Sequence, residues 1–391
     1  MIGSPGFIGE RLEQARKVSG LTAVALAEML GVRSAANITQ YEHQKQSPSP
    51  EVLQKMVERL NRPRDFFFKP VAAFDTSGVC YRSMSSATKT ARMRAEIKLA
   101  WLKEVTNYLR KYMDLPKVNL PSFTLPDSLE SITLSDVEEI ANQCRKFYGL
   151  DDGPLADLIL LLENNGVIVT RVLLGAETQD AFSQWPSDEQ SPYIVLGMDK
   201  ASAVRSRFDA AHELGHLLLH RHIDRDAATR STRLHSLMEH QCHRFASAFL
   251  LPETGFAREL WAPTLNGFLA LKPRWKTSIA TMMKRSAELG LLEERNVTRS
   301  WINLSRRGWR KEEPLDDKLA FEQPRLLRRG VEMLIDSGLK TRDQIVADLA
   351  LSAADIETLT CLPADFLLST PDQATPILKP ASGVLQFRKR D

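Results

Sequence analysis

Seven of the chain's 8 histidines lie between positions 212 and 243, and four of them share one run, "RSRFDAAHELGHLLLHRH". His212, His216 and His220 recur every four residues, which stacks them one turn apart on a single helical face. Their neighbours are mostly alanine, leucine and glycine, so this helix must carry its imidazoles inside a core. Within it, "HELGH" has the H-E-x-x-H spacing. Two imidazoles one turn apart can hold one tetrahedral zinc ion, and Glu213 beside the first can take a proton from an attacking water.

A third ligand has to come from another element. A second helix, "LMEHQCHRFASAFLLP", ends at Pro252 and offers Glu239, Cys242 and His243 at i, i+3 and i+4, hence on one face. The residues alone leave all three open. His220 lies a further turn along from His216 and reads as a core or supporting residue. His222, His235 and His240 read as surface residues. One of His220, His235 or His243 could stabilise the oxyanion of a tetrahedral intermediate. "PYIVLG" and "VIVTRVL" are β-branched runs and read as strands, with "AFSQW" as a further short one. A resemblance to zinc peptidases with such a pair of helices would put the first of these near the site, where an extended peptide could add to its edge; a plain core strand is the other reading, and both can be true.

The linked pair of motifs resembles the ImmA/IrrE family of zinc metallopeptidases, over about Asp136 to Glu253. The family's second motif, E-x-x-A-N-x-F-A-x-x-L-L-x-P, corresponds to Glu239 through Pro252 here, with Cys242 and His243 in place of the small residue and the asparagine. The resemblance implies zinc as cofactor, a zincin-like α+β core, Glu239 as third ligand and Glu213 as catalytic base. It also implies a protein substrate, repressor or toxin, whose cleavage switches a stress, defence or mobile-element operon. The alternative is a transcriptional regulator or antitoxin of a toxin-antitoxin pair, in which the peptidase domain mainly binds.

The first 70 residues read as short helices. Phe7, Ile8, Leu12, Ala15 and Val18 share a face, Gly20 ends the first helix, Thr22 caps a second that stops at Gly31, and Ser34 to Glu42 forms a third. "SPSPEVLQKMVERL" begins a fourth with a capping serine and an early proline. "LAEMLGV", "ITQYE" and "PSPEVLQKMVERL" resemble the Xre, lambda-repressor-like helix-turn-helix family. That likeness implies a third helix in the major groove of duplex DNA, with Arg33, Ser34, Asn37 and Gln40 facing bases and Lys45 facing phosphate. Ala23 stands where the family usually has glutamine.

The expected organisation is a helix-turn-helix at 1–70, a linker with a long basic helix at 71–134, the peptidase core at 135–255 and a helical region at 256–391. The whole is multidomain and mainly α. Residues 87 to 112 form the basic helix, read as a solvated or phosphate-facing surface. "WINLSRRGWRKEEP" interleaves Trp301 and Trp309 with arginines, a pattern that suits single-stranded DNA. A net charge of +3 excludes a histone-like binder. The 4 cysteines, Cys80, Cys144, Cys242 and Cys361, form no CxxC pair, which points to a reducing compartment, the cytoplasm. No apolar run reaches the ~18 residues a membrane span needs. A homodimer is compatible with all of this.

Overall fold

The computed structural model describes residues 3–71, 80–81, 89–126, 128–174, 181–186, 191–198, 202–221, 223, 231–368 and 386–387. Four helices open the chain: α1 (Gly9–Val18), α2 (Ala23–Leu30), α3 (Ala35–Glu42) and α4 (Pro50–Leu60), followed by a 3-10 turn at Arg64–Phe68. Their ends follow local chemistry. The Thr22 hydroxyl accepts from Ala25 N, the Ser49 hydroxyl accepts from Val52 N, and Gly31 closes α2 at φ 65°. Arg16 clamps Glu42 with both ends of its guanidinium, which fixes α3 against α1.

The middle of the chain holds a mixed sheet. Strands β1 (Cys80–Tyr81), β3 (Ile168–Val172), β4 (Ala181–Gln184) and β5 (Tyr193–Gly197) lie in the order β1-β4-β5-β3. β3 and β5 run parallel, while β4 is antiparallel to both β5 and β1. A second pair, β2 (Met113–Asp114) and β6 (Gln386–Phe387), lies elsewhere. The expectation that a peptide could add to the edge of 193–197 does not hold, because β5 is flanked on both sides.

The sheet separates two hydrophobic cores, and the period-2 alternation of its strands feeds both. Ile168, Val172, Tyr193 and Val195 point to one, Val169, Ile194 and Leu196 to the other. The first core unites α1–α4 with α5 (Lys89–Arg110), α14 (Leu326–Asp336), α15 (Arg342–Leu349) and α16 (Ala353–Thr360). The second unites α6 (Leu134–Phe147), α7 (Leu158–Asn164), α8 (Ala203–Leu219) and α9 (Thr232–Leu250). It continues through α10 (Glu253–Glu259), α11 (Leu265–Trp275), α12 (Ile279–Glu288) and α13 (Glu294–Arg306).

The long basic helix α5 is neither a solvated face nor a phosphate-facing one. Leu99, Trp101, Leu102, Val105 and Leu109 are fully buried in the first core. Three of its cations bond to the fold itself: Lys103 sits over the Tyr193 ring, Lys98 donates to Leu173 O, and Arg110 donates to Ser191 Oγ at 2.7 Å. Arg11 of α1, itself fully buried, pairs with Glu104 at 2.8 Å and donates to Pro70 O. Trp101 meets Phe66 edge-on with ring centroids 5.7 Å apart and donates its Nε1 hydrogen to Gln14. The helix-turn-helix is therefore welded to α5, and Arg62–Asp355 (2.7 Å) extends the weld to α16. The segment "TRDQIVADLALSAADIETL", which reads as one helical stretch, is broken into α15 and α16 at Ala350 (φ 52°), with a new cap at Ser352. The tryptophans of the 301–309 segment carry the chain's own cations. Arg310 lies over Trp301 and Arg307 over Trp309, and both rings pack against the second core.

Glu163, at the end of α7, caps α14 by accepting from Arg325 N and Leu326 N at 2.9–3.0 Å. Burial outweighs those bonds and pushes its carboxyl up to about 7. Below about pH 4.5 the group is protonated in both folded and unfolded chains. As pH rises from there to 7 the unfolded chain ionises while burial keeps the proton on the folded one, so stability falls, levelling off once the folded carboxyl ionises above 7. Between pH 5 and 8 wild type should lose on the order of 3 kcal/mol relative to Glu163→Gln. Urea unfolding of both proteins at the two pH values checks this; parallel pH dependence would refute it.

Candidate metal centre and nucleic-acid interface

The packing of α8 against α9 positions the centre. Gly215 lies at their contact: a Cβ there would come 3.1 Å from Phe245 Cδ1 and 3.4 Å from Cys242 Cα and Sγ. Glycine at the fourth position of "HELGH" thus lets the two helices approach backbone to side chain. On α8, His212, Glu213 and His216 are all fully buried. From α9, the Glu239 carboxylate reaches both imidazoles, with Oε2 at 3.3 Å from His212 Nε2 and Oε1 at 3.2 Å from His216 Nε2. The two Nε2 atoms are 3.1 Å apart.

Those three separations are a fit test for zinc. Ligands ~2.0 Å from a tetrahedral ion are about 3.3 Å from one another. Two nitrogens and a carboxylate at 3.1–3.3 Å match that edge length. Cys242 and His243 also lie near enough to join such a cluster. Cys242 Sγ is 3.5 Å from His220 Nδ1. The ring of His243 is packed between Phe208 (centroids 5.6 Å) and His212 (4.8 Å).

His220 is fully buried, with Nδ1 3.2 Å from His216 Nδ1 and Nε2 2.9 Å from Gln241 Oε1. Gln241 was not singled out by its sequence. A glutamine one residue before a cysteine carries no spacing signal, and only the helix pairing brings it to His220. His235 is half-buried one turn before Glu239 on α9, and its Nε2 is shielded from solvent with no hydrogen-bond partner among the described residues. His240 is exposed, and His222 lies outside the described residues.

Beside the centre is a pocket of about 340 Å³ lined by Phe208, Asp209, His243, Arg205, Lys284 and Trp301, among others. Lys284 and Trp301 come from α12 and α13, so helices beyond 255 form one wall. On the opposite flank, α8 packs across β4 and β5. The outer edge of β4 is taken by Cys80 and Tyr81, paired with Ser183 and Phe182.

In the N-terminal unit, α3 presents an open face. Arg33, Ser34, Ala36, Thr39 and Lys45 are exposed, with Asn37 and Gln40 half-buried between them, while Ile38 and Tyr41 turn into the core. Ser34 Oγ lies 3.2 Å from Asn37 Oδ1. Ala23 begins α2 and offers no polar group there.

Residues 162–286 match the family described as the IrrE N-terminal-like domain, a metallopeptidase family, and residues 12–67 match the helix-turn-helix family. The chain joins a helix-turn-helix domain to an IrrE N-terminal-like domain. The fold is accordingly mainly helical with a small mixed α/β core and an N-terminal helix-turn-helix. The IrrE-like match runs through α10 and α11 into α12, the helices that share its core and complete the pocket wall. No curated protein matches the chain. Among the described residues no helix is long and apolar enough to cross a membrane.

The geometry predicts about one zinc ion per chain. His212→Ala, His216→Ala and Glu239→Ala should each abolish stoichiometric zinc by elemental analysis, whereas Cys242→Ala should retain it. Loss of zinc from Cys242→Ala with retention in Glu239→Ala would reverse the ligand assignment.

Proposed function

We propose that this protein is a zinc-dependent endopeptidase, held near DNA by its helix-turn-helix, that cleaves a regulatory protein of the repressor kind. The observation that carries the reading is the convergence of His212, His216 and Glu239 at the edge lengths of a zinc tetrahedron, with buried Glu213 next to the first ligand on the same helix. Bound zinc would supply Lewis acidity to the scissile carbonyl and make water nucleophilic near neutral pH. His212, His216 and Glu239 would hold it.

Glu213 takes the proton of the attacking water and later passes it to the leaving amine. His235 is the best-placed of the three oxyanion candidates. It shares the Glu239 face of α9 and keeps a shielded Nε2 without a partner among the described residues. His220 is committed behind His216, and His243 is packed on Phe208. The pocket between His243, Lys284 and Trp301 accepts a side chain next to the scissile bond. A substrate strand extending the sheet at β4 has to displace the Cys80–Tyr81 pairing.

The DNA-binding half of the reading rests on the open face of α3. Arg33, Ser34, Asn37 and Gln40 are placed to reach base edges, and Lys45 a phosphate. A family likeness on a helix-turn-helix and an exposed third helix support binding to duplex DNA.

Purified protein, incubated with zinc or with chelator and with the products of neighbouring genes, should cleave one of them in a zinc-dependent manner, read by intact mass. Glu213→Gln should keep zinc and lose ~10²–10⁴ in rate; undiminished cleavage would remove Glu213 from the mechanism. For DNA, Asn37→Ala with Gln40→Ala should weaken the promoter site more than random duplex, by ~1–3 kcal/mol per lost bidentate contact. Lys45→Ala should weaken all duplexes alike and flatten the salt dependence. Anisotropy titrations at two salt concentrations decide this; equal affinity for promoter and random DNA, unchanged by the variants, would point to protein recognition instead.

A further inference from the structure

A chain of hydrogen bonds runs from the main chain before α6 to the second histidine of the motif, and for neutral imidazoles the carbonyls at its start set the direction of its links. It begins at the 3-10 turn Leu129–Ser131. The Gln241 amide nitrogen, Nε2, lies 2.9 Å from both Leu129 O and Ile132 O. Carbonyl oxygens only accept, so the amide group of this fully buried side chain must face them with its NH2 end. Its Oε1 is then turned to His220 Nε2 at 2.9 Å. An amide oxygen cannot donate, so the proton on this bond belongs to His220 Nε2.

A neutral imidazole with a hydrogen on Nε2 has a lone pair on Nδ1. His220 Nδ1 faces His216 Nδ1 at 3.2 Å. With both rings neutral, the hydrogen bond between them is therefore donated by His216. With Nδ1 protonated, neutral His216 has its lone pair on Nε2, the atom aimed at His212 Nε2 and Glu239 Oε1. The Cys242 thiol, 3.5 Å from the same His220 Nδ1, adds a weak donor to that lone pair and does not reverse the direction.

We propose that Gln241 and His220 are positioning residues that lock His216 in the tautomer a metal requires, with the Leu129–Ile132 carbonyls as the anchor. The proposal rests on the zinc reading above, in which His216 Nε2 is a ligand. It adds the cause of that atom's availability. An imidazole free to choose its tautomer would spend part of its population with a hydrogen on Nε2, bonded to Glu239, and binding would first have to remove it. The segment between α5 and α6 thereby gains a role. Its turn holds the Gln241 amide, and through His220 the amide sets the orientation of the ligand His216.

The test is ¹⁵N-detected imidazole NMR of the full-length, metal-free protein, combined with zinc titration against a competing chelator. In wild type, His220 should show its hydrogen on Nε2 and His216 on Nδ1. Gln241→Met keeps the length of the side chain and removes both bonding groups. It should return His216 to a tautomer mixture and weaken zinc binding by about 10- to 100-fold. A wild-type His216 protonated at Nε2 would overturn the proposal, as would a folded Gln241→Met protein with unchanged tautomers and unchanged zinc affinity. Should Gln241→Met not fold, the wild-type spectrum decides alone. Failure of the zinc reading shows separately, as wild-type protein that takes up no zinc while its tautomers are still measurable.

Discussion

The close approach of α8 and α9 across Gly215 is the contact on which the rest of the site depends. A methyl group at that position would come 3.1 Å from the Phe245 ring, which would have to give by a few tenths of an ångström, and into ordinary contact with Cys242. Glycine thus suits the close packing of the two helices that carry His212, His216 and Glu239. Interiors packed at crystalline density do not absorb such shifts gradually, so the site is held by the whole second core rather than by its own few bonds.

The two domains are not beads on a string. α5 has one face in the core of the helix-turn-helix and another over the sheet, where Lys103 covers Tyr193. Buried, bonded cations such as Arg11 and Arg62 tie α1, α4, α5 and α16 together. A strain at either end, such as DNA bending against α3 or a strand pushing at β4, meets a continuous solid. From the segment before α5, Cys80 and Tyr81 pair with β4 of the peptidase-like core.

What was legible in the sequence is what short-range chemistry dictates. Thr22, Gly31 and Ser49 announce helix ends because their own side chains or φ angles make the caps. The four-residue histidine spacing announces a helix face, and the resemblance supplied both domains, which the family matches confirm. The structure brings Glu239 to the two imidazoles, a meeting that needs two helices and that spacing alone left open among three residues. The basic helix misled because charge counts do not reveal direction. Lys98, Lys103 and Arg110 bond inward to groups far away in sequence. Gln241 was invisible for the same reason, and so was the order of the strands, which put β5 inside the sheet. The break at Ala350 escaped because alanine in a left-handed conformation has no sequence signature.

The proposed zinc site uses two imidazoles and a carboxylate, His212, His216 and Glu239, and leaves Cys242 out of the ligand set. X-ray absorption at the zinc edge of the loaded, full-length protein tests it most directly. The account predicts a shell of nitrogen and oxygen at ~2.0–2.1 Å, with imidazole outer-shell scattering, and no sulfur. A sulfur scatterer at ~2.3 Å would contradict it.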